Sequence, residues 1–201
     1  MIISTSNAQI KELAKLQKKS RLRDEKGIFL VEGPRMTEEI PAERIEKVYA
    51  SESFAKKNKE FLERLQAPVE LLTDTVFAYV SDTKTPQGIL AIVKRLDYTM
   101  KDLMQVKDQK APHLIVLDNL QDPGNLGTIL RAGEAAGVTG VIMSHDCVDI
   151  YNPKTIRSTM GSIYRMPFFV TRDLAETICE LKNAGVKTYA AHLKGKMQYD
   201  E

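Results

Sequence analysis

The sequence predicts an α/β protein of two domains, and three observations lead to this prediction. The 201 residues are 43% hydrophobic and 28% charged, as in globular chains with one large or two small domains. Residues 113–191 alternate short apolar runs with helical patterns, which is typical of a parallel sheet covered by helices. Residues 96–112 are instead rich in Lys and Asp. We therefore predict a first domain at 1–95, a linker at 96–112 and a second domain at 113–201.

The first domain is predicted to mix helices and strands without a regular order. Ser6 can cap a helix in which Ile10 and Leu13 recur at helical spacing. Pro34 suits the first position of a helix that follows a buried strand at 28–31. The remaining elements expected here are strands at 48–50, 69–72 and 89–93 and helices at 53–65 and 74–79.

The second domain is predicted to contain four strands that alternate with three helices. Gly185 is a fitting C-terminal cap for its last helix. Ligands of such sheets bind beyond the carboxyl ends of the strands, so a site is expected in the loops that follow them. The strands are predicted at 113–117, 139–143, within 163–170 and at 187–191, and the helices at 126–136, 153–159 and 173–183.

Several classes of protein are excluded by composition. No run approaches the ~18 apolar residues of a membrane helix, and the N-terminus shows no secretory signal. Cys147 and Cys179 form no CxxC pair, so we expect two reduced thiols in a cytoplasmic protein. No metal is expected, because the histidines at 113, 145 and 192 form no ligand constellation.

The formal net charge of +2 conceals an asymmetry along the chain. Residues 1–26 carry a net charge of +4, and the remainder carries −2. A basic N-terminal segment suits a polyanionic partner, although a solvated helix face is the plain alternative. A second region, residues 150–172, contains four basic residues and no acidic one.

The stretch most informative about chemistry follows the first strand of the second domain. Residues 124–127 place two glycines around Asn125, a helix-capping residue type, and a helix start of this kind favours anions. Arg131 then falls in an apolar helical run and needs a partner there. An ion pair with Glu134 or Asp118 is the structural alternative to a functional role. The spacing matches neither a Rossmann fingerprint nor a P-loop.

This stretch resembles the first motif of the SpoU (TrmH-type) family of RNA ribose 2′-O-methyltransferases, in the SPOUT superfamily. Residues 152–162 followed by 165–167 resemble that family's next block, and residues 29–33 and 85–91 resemble its N-terminal domain. The resemblance implies an L30e-like substrate-binding domain followed by a SPOUT-type parallel α/β domain. The matching residues of the first motif are Asp118-Asn119-x-x-Asp122-Pro123-x-Asn125-x-Gly127-x-x-x-Arg131.

The resemblance also implies a reaction, in which S-adenosylmethionine methylates a ribose 2′-hydroxyl of rRNA or tRNA. By analogy with the L30e-like domain, structured rRNA is favoured over tRNA as the partner. Arg131 matches the catalytic arginine. Because a protonated arginine is a poor base, we favour it as a phosphate clamp that stabilises the developing alkoxide, with a base role as the alternative. Asn125 matches a supporting asparagine that orients the arginine or the ribose, with simple capping as its alternative.

Further residues receive expected roles. Ala191, His192 and Leu193 match positions near the family's cofactor site, although a surface histidine is the plainer interpretation of His192. The basic residues expected to contact RNA phosphates are Lys15, Lys18, Lys19, Arg21, Arg23, Arg35, Arg157 and Arg165.

The sequence departs from the family at its C-terminal end. Members continue with a glutamate-glycine motif and a serine- and asparagine-containing block, which build a trefoil knot, most of the cofactor pocket and the dimer surface. Neither motif is found in these 201 residues. We therefore expect a second domain without the knot, and a chain that does not methylate RNA by itself. The alternatives are a non-enzymatic RNA-binding protein and, more weakly, a small-molecule enzyme with an anion site at 124–127.

Overall fold

The computed structural model describes residues 1–105, 111–191 and 194–195. Its first sheet has four strands, which are β1 (Ile28–Glu32), β2 (Ile45–Ser51), β3 (Val69–Leu72) and β4 (Ile89–Lys94). Their spatial order is β1-β4-β2-β3. Strand β4 runs antiparallel to both of its neighbours, and β2 and β3 pair in parallel.

Helices flank this sheet. Successive side chains of β1 point to opposite faces of the sheet and pack in two different apolar clusters. Ile28 and Leu30 face a cluster with helix residues such as Ile10 and Phe77, whereas Phe29 faces the second domain's core. Asn7, and not the expected Ser6, caps the first helix, and Thr73 caps the last helix of this domain through the backbone N–H of Val76. The helices are α1 (Ala8–Lys18), α2 (Ser20–Lys26), α3 (Pro34–Glu38), α4 (Glu52–Lys57), α5 (Lys59–Arg64) and α6 (Asp74–Val80).

The second sheet is parallel throughout, which confirms the predicted α/β class. Its strands are β5 (Leu114–Leu117), β6 (Gly140–Ser144) and β7 (Phe168–Thr171), in the order β5-β6-β7. All three carboxyl ends therefore lie at one edge of the sheet. Its helices are α7 (Met100–Met104), α8 (Pro123–Ala135), α9 (Pro153–Thr159) and α10 (Leu174–Asn183).

The two sheets share one hydrophobic core. Phe29 of β1 packs against Tyr151 with ring centroids 4.9 Å apart, and Tyr151 packs against Phe168 of β7 at 5.9 Å. The Tyr151 hydroxyl donates to the carbonyl of Leu96 and accepts from its N–H, both at 2.9 Å. Burial of a continuous apolar cluster across both sheets holds the two domains together.

The predicted linker contributes to this packing. Its helix α7 begins with a capping box between Thr99 and Asp102. Leu103 of α7 is fully buried with Ile142 and Leu181 of the second domain. The segment predicted as a linker from its composition therefore contains a packed helix, Met100–Met104.

Two predicted elements are wrong. The helix expected at 53–65 is two helices, because Asn58 leaves helical geometry and its side-chain amide donates to the Phe54 carbonyl at 2.9 Å. The strand expected at 187–191 is irregular and exposed, because it pairs with neither edge strand and buries too little side chain to offset the cost of ordering. In the described part of the chain, no helix is long and apolar enough to span a membrane.

Candidate functional site

The loop between β5 and α8 is held in place by the loop that follows β6. Asn119 adopts a positive φ of 51°, and its N–H donates to Ser144 Oγ at 2.9 Å. The next N–H, from Leu120, donates to Cys147 Sγ at 3.3 Å. Gln121 Nε2 donates to Asn119 Oδ1 at 2.6 Å and to the Asp146 carbonyl at 2.7 Å. The motif loop therefore has a fixed shape at the carboxyl edge of the sheet.

The sequence analysis did not identify Ser144 and Cys147 as supports of this loop. A signal for them was present, because Ser144 ends the strand next to β5 and Cys147 follows it, and the carboxyl ends of neighbouring parallel strands meet at one edge. Which of the polar residues after β6 would reach the loop depends on the register of the two strands, and a single sequence does not reveal that register.

Asp122, and not Asn125, caps α8. The Asp122 carboxylate accepts the Asn125 N–H at 2.7 Å, and Pro123 occupies the first turn. The capping alternative for Asn125 is therefore wrong. Its side chain is exposed and makes no hydrogen bond within the residues that the structure describes. The amide is free to bind a ligand.

Arg131 is exposed, which corrects the expectation of a charge inside an apolar helix run. The buried side of α8 is formed by Leu126, Gly127, Leu130 and Gly133, whereas Arg131 is exposed. Among the described residues its guanidinium forms no ion pair. The alternative pairing with Glu134 or Asp118 is thus wrong, because Glu134 is bound to Arg165 instead. Arg131 is available to an anion.

Asn125 and Arg131 share the exposed side of α8. They are six positions apart, which corresponds to about 9 Å along the helix axis and to about 120° around it. The two side chains therefore lie at two edges of the exposed surface of α8. An extended ligand such as a nucleotide and its neighbouring phosphate can therefore contact both.

Gly127 allows α8 to approach α9 closely. A Cβ at this position would lie 2.4 Å from Ser158 Cβ and 2.8 Å from the Thr155 carbonyl oxygen. Neither neighbour is the end of a flexible side chain, so only glycine fits. This contact fixes the position of α8 against α9. Arg131 lies one helical turn after Gly127, so the same contact sets the position of Arg131 beside α9.

Arg165 connects the two domains. Its guanidinium binds Glu134 of α8 through Nε and Nη2, and it binds Glu39, which follows α3, through Nη1. These hydrogen bonds hold the pKa of Glu134 below its usual value and raise the pKa of Arg165. Arg165 was expected to contact RNA, but the structure places it between two carboxylates.

The basic N-terminal residues divide into two groups. Lys15, Lys18 and Lys19 are exposed on α1 and at its end, and Arg21 is exposed on α2, where it pairs with Glu25. Their position agrees with a polyanion-binding face, and a solvated helix face remains the plain alternative.

Arg23 does not belong to that surface, which corrects its expected contact with RNA. Only 2% of the residue is exposed. It donates to the Leu16 carbonyl at 2.8 Å and to Asp149 Oδ2 at 2.7 Å. Because Asp149 lies in the second domain, Arg23 joins the two domains from within.

Arg35 and Arg157 lie on opposite walls of a groove between the domains. Arg35 is exposed on α3 and has no ion-pair partner within the described part of the chain. Arg157 lies on α9 and pairs with the exposed Asp82 at 3.2 Å. The structure thus brings together two residues that were expected to bind RNA, although they are 122 positions apart in the sequence.

The structure describes only one of the three expected cofactor residues. Ala191 is exposed in an irregular part of the chain, and His192 and Leu193 lie outside the described residues. Their role at a cofactor site stays a prediction. A search of the described residues also finds no group of three His, Cys, Asp or Glu side chains suited to a metal ion.

The fold and this site define a class of protein, namely a parallel α/β domain with an exposed arginine on its first helix, joined to a mixed α/β domain. Comparison with known families gives the same division. Residues 112–201 match the SpoU rRNA methylase family, and residues 7–91 match the MRM3-like substrate-binding domain.

Known relatives make the assignment more specific. The chain is 32% identical over 203 residues to the 23S rRNA (guanosine(2553)-2′-O)-methyltransferase RlmP of Bacillus subtilis, and the match covers all of this chain and 76% of that protein. It is 36% identical to human mitochondrial rRNA methyltransferase 3, over 74% of this chain and 36% of the human protein. The chain belongs to the SpoU rRNA methylase family.

Solved structures show the same fold. An rRNA methyltransferase from Sinorhizobium meliloti superposes with a TM-score of 0.81 at 26% identity, covering 98% of this chain and 74% of that one. An AdoMet-bound rRNA methyltransferase from the same organism superposes with a TM-score of 0.72 at 25% identity, covering 91% and 68%. The predicted SPOUT-type architecture is thus confirmed.

Proposed function

We propose that the chain provides the RNA-binding and acceptor side of an S-adenosylmethionine-dependent methyltransferase that acts on a ribose 2′-hydroxyl of rRNA in the cytoplasm. The observation that carries this proposal is the exposed, unpaired guanidinium of Arg131 on the first helix of a SpoU-type domain. The names of the relatives support rRNA as the substrate, because RlmP and the mitochondrial enzyme are both rRNA methyltransferases.

Arg131 acts on the acceptor side of the reaction. A ribose 2′-hydroxyl is a weak nucleophile until negative charge on its oxygen is stabilised. A guanidinium is permanently protonated and presents a planar fork of donors that suits a phosphate or an alkoxide. Arg131 therefore clamps the phosphate next to the target ribose and stabilises the developing alkoxide.

Asn125 positions the ribose. Its exposed amide lies at the N-terminal turn of α8, where the helix dipole and free N–H groups also favour negative charge. An amide can donate to one ribose oxygen and accept from another hydroxyl. The rigid loop below α8, held by Ser144 and Cys147, keeps this turn in place.

RNA is held mainly through its phosphates. The exposed lysines at positions 15, 18 and 19 supply an attraction that is independent of sequence and weakens with salt, and Arg21 lies beside them. S-adenosylmethionine supplies the methyl group when bound. Because the glutamate-glycine motif and the serine- and asparagine-containing block are not found in these 201 residues, we expect the 201-residue chain to bind RNA without transferring methyl. The resemblance implies a homodimer for full-length members of the family, whose dimer surface includes the motifs that are not found in these 201 residues.

One experiment tests this function. The purified chain is mixed with fluorescently labelled 23S rRNA fragments, and in parallel with rRNA and S-adenosylmethionine labelled on its methyl group. We expect RNA binding that weakens as salt rises, and no label in the RNA. Absence of RNA binding at low salt would contradict the proposal, and labelled ribose would show that the donor side is complete in this chain.

A further inference from the structure

The groove between the two domains has a volume of about 360 Å³ and is built from both of them. One wall consists of Gly33 and Arg35 at the start of α3, together with Gln87 from the loop before β4. The other consists of Arg157 on α9 and Met160 directly after that helix. A cavity of this size is at the lower end of the range for small-ligand sites and suits about one nucleotide.

The carboxylates at this groove are already satisfied within the protein. Glu32 accepts hydrogen bonds from Ser81 Oγ at 2.6 Å, from Thr83 Oγ1 at 3.0 Å and from the Asp82 N–H at 3.3 Å. Glu39 is bound by Arg165. By contrast, Arg35 has no ion-pair or hydrogen-bond partner within the described residues, so its guanidinium is available to an anion.

Arg157 adds a second cation that an anion can recruit. Its only ion pair within the described chain is with Asp82, at 3.2 Å, and both side chains are partly exposed. Such exposed pairs contribute little to the free energy of folding, so Arg157 can exchange the Asp82 carboxylate for a phosphate at a small free-energy cost. Two arginines on facing walls are well suited to consecutive phosphates of a single strand.

Met160 presents an apolar side chain to solvent at the groove in an unfavourable backbone conformation. Its φ is 51° and its ψ is 38°, a left-handed geometry that non-glycine residues rarely adopt. The residue is 49% exposed. Burial of the Met160 side chain does not offset the cost of this backbone conformation. An apolar contact with a nucleobase would bury the exposed side chain.

Gln87 is the remaining polar group. Its side chain lies over Gly33, where a Cβ would be only 2.6 Å from Gln87 Oε1. The amide forms no hydrogen bond within the described residues, so its donors and acceptor are free for a base edge. Bases are accessible to such contacts only where RNA is unpaired, because a double-stranded A-form helix hides most of their edges.

We propose that this groove binds an unpaired nucleotide of the RNA substrate, with Arg35 and Arg157 on its flanking phosphates and Met160 and Gln87 on its base. The inference rests on the proposed RNA-binding function and adds the kind of RNA that is recognised. It assigns recognition of unpaired RNA to residues outside the α1–α2 surface and outside the Arg131 site.

The test uses fluorescence anisotropy with two labelled RNA probes, a hairpin with an unpaired loop and a blunt duplex with the same stem sequence. Arg35→Met should weaken hairpin binding by about tenfold, the effect of losing one charge-assisted hydrogen-bonded contact, and duplex binding by less than about twofold. Lys59→Met, which removes one exposed charge on α5, is the matched control and should affect both probes equally and slightly.

Two further variants separate binding from folding. Met160→Gly should weaken hairpin binding yet raise the Tm by about 2–4 °C, because glycine tolerates the left-handed backbone. Asp82→Asn keeps the backbone N–H to Glu32 and frees Arg157, so it should tighten hairpin binding by about threefold. A merely structural role would not produce opposite changes in stability and affinity.

The outcomes distinguish this inference from the proposed function. If the unmodified chain binds neither probe, the proposed function fails. If it binds the hairpin but Arg35→Met and Met160→Gly leave the affinity unchanged, the groove proposal alone is overturned. Equal weakening of hairpin and duplex binding would also overturn it, since the groove would then sense backbone charge in general.

Discussion

Arg131 and Arg23 are both arginines in helical segments, yet their surroundings give them opposite roles. Arg131 is exposed and unpaired in the described chain, and Arg23 is enclosed with Asp149 and two backbone carbonyls. The motif around Arg131 was recognisable from residue types and spacing alone. The burial of Arg23 was not, because its partner lies 126 positions further along the chain.

Arg131→Met tests the residue-scale account of the site. The substitution should weaken binding to an rRNA fragment by about tenfold. The slope of log affinity against log salt concentration should fall by about one, the amount that corresponds to one phosphate contact. Stability should change by less than about 0.5 kcal/mol, because the side chain is exposed and makes no contact that the fold needs. Salt-dependent anisotropy and urea unfolding measure the two effects, and an unchanged RNA affinity would argue against a phosphate clamp.

Arg23→Met should behave in the opposite way. It removes a buried cation that binds Asp149 and the Leu16 carbonyl, so the free energy of unfolding should fall by about 2–3 kcal/mol. RNA affinity of the folded protein should stay within about twofold of the original. Urea unfolding and anisotropy measure both quantities, and selective loss of RNA binding at normal stability would restore Arg23 to the RNA-binding surface.

At the scale of elements, helix α8 and the loop before it carry the site. The apolar spacing predicted the helix at 126–136, whereas it spans Pro123–Ala135. The observed start could have been predicted from Asp122-Pro123, because this pair is a capping residue followed by proline at the first helical position. The packing of α8 on α9 could not be predicted, because it depends on which helix comes to lie opposite Gly127.

Gly127→Ala tests that packing. The added methyl group would overlap Ser158 and the Thr155 carbonyl, and we expect a loss of about 1–3 kcal/mol from the forced separation of the helices. Gly133→Ala, in the same helix, is the control. Its methyl group would lie 3.3 Å from the mobile end of Ile115, so the gain in helix propensity keeps stability within about 1 kcal/mol. Similar urea midpoints for the two variants would contradict the close approach of α8 and α9.

At the scale of the whole molecule, the two sheets are joined into one unit by a shared core and by arginines that cross between the domains. The sequence predicted two α/β regions, since alternation of apolar runs is a local property. It did not predict how they pack, because Phe29, Tyr151 and Phe168 are distant in sequence and meet only in the fold.

The contribution of Arg165 to this union should depend on pH. Because Arg165 depresses the pKa of Glu134 in the folded state, the stabilisation is present above the ordinary value of 4.5 and is lost as pH falls below it. Arg165→Met should therefore cost about 1 kcal/mol near neutral pH, and the cost should shrink on acidification. Arg64→Met, which removes an exposed pair with Glu38, is the control. A cost that is independent of pH would show that the ion pairs are not its source.

The most direct test of the central claim is a calorimetric titration of this chain with a structured 23S rRNA fragment and, separately, with S-adenosylmethionine. We predict that the RNA binds, with an affinity that falls as salt is raised, and that the methyl donor alone gives no binding heat. Donor binding without RNA binding would contradict the account, because the chain would then carry the cofactor side of the reaction and not the acceptor side.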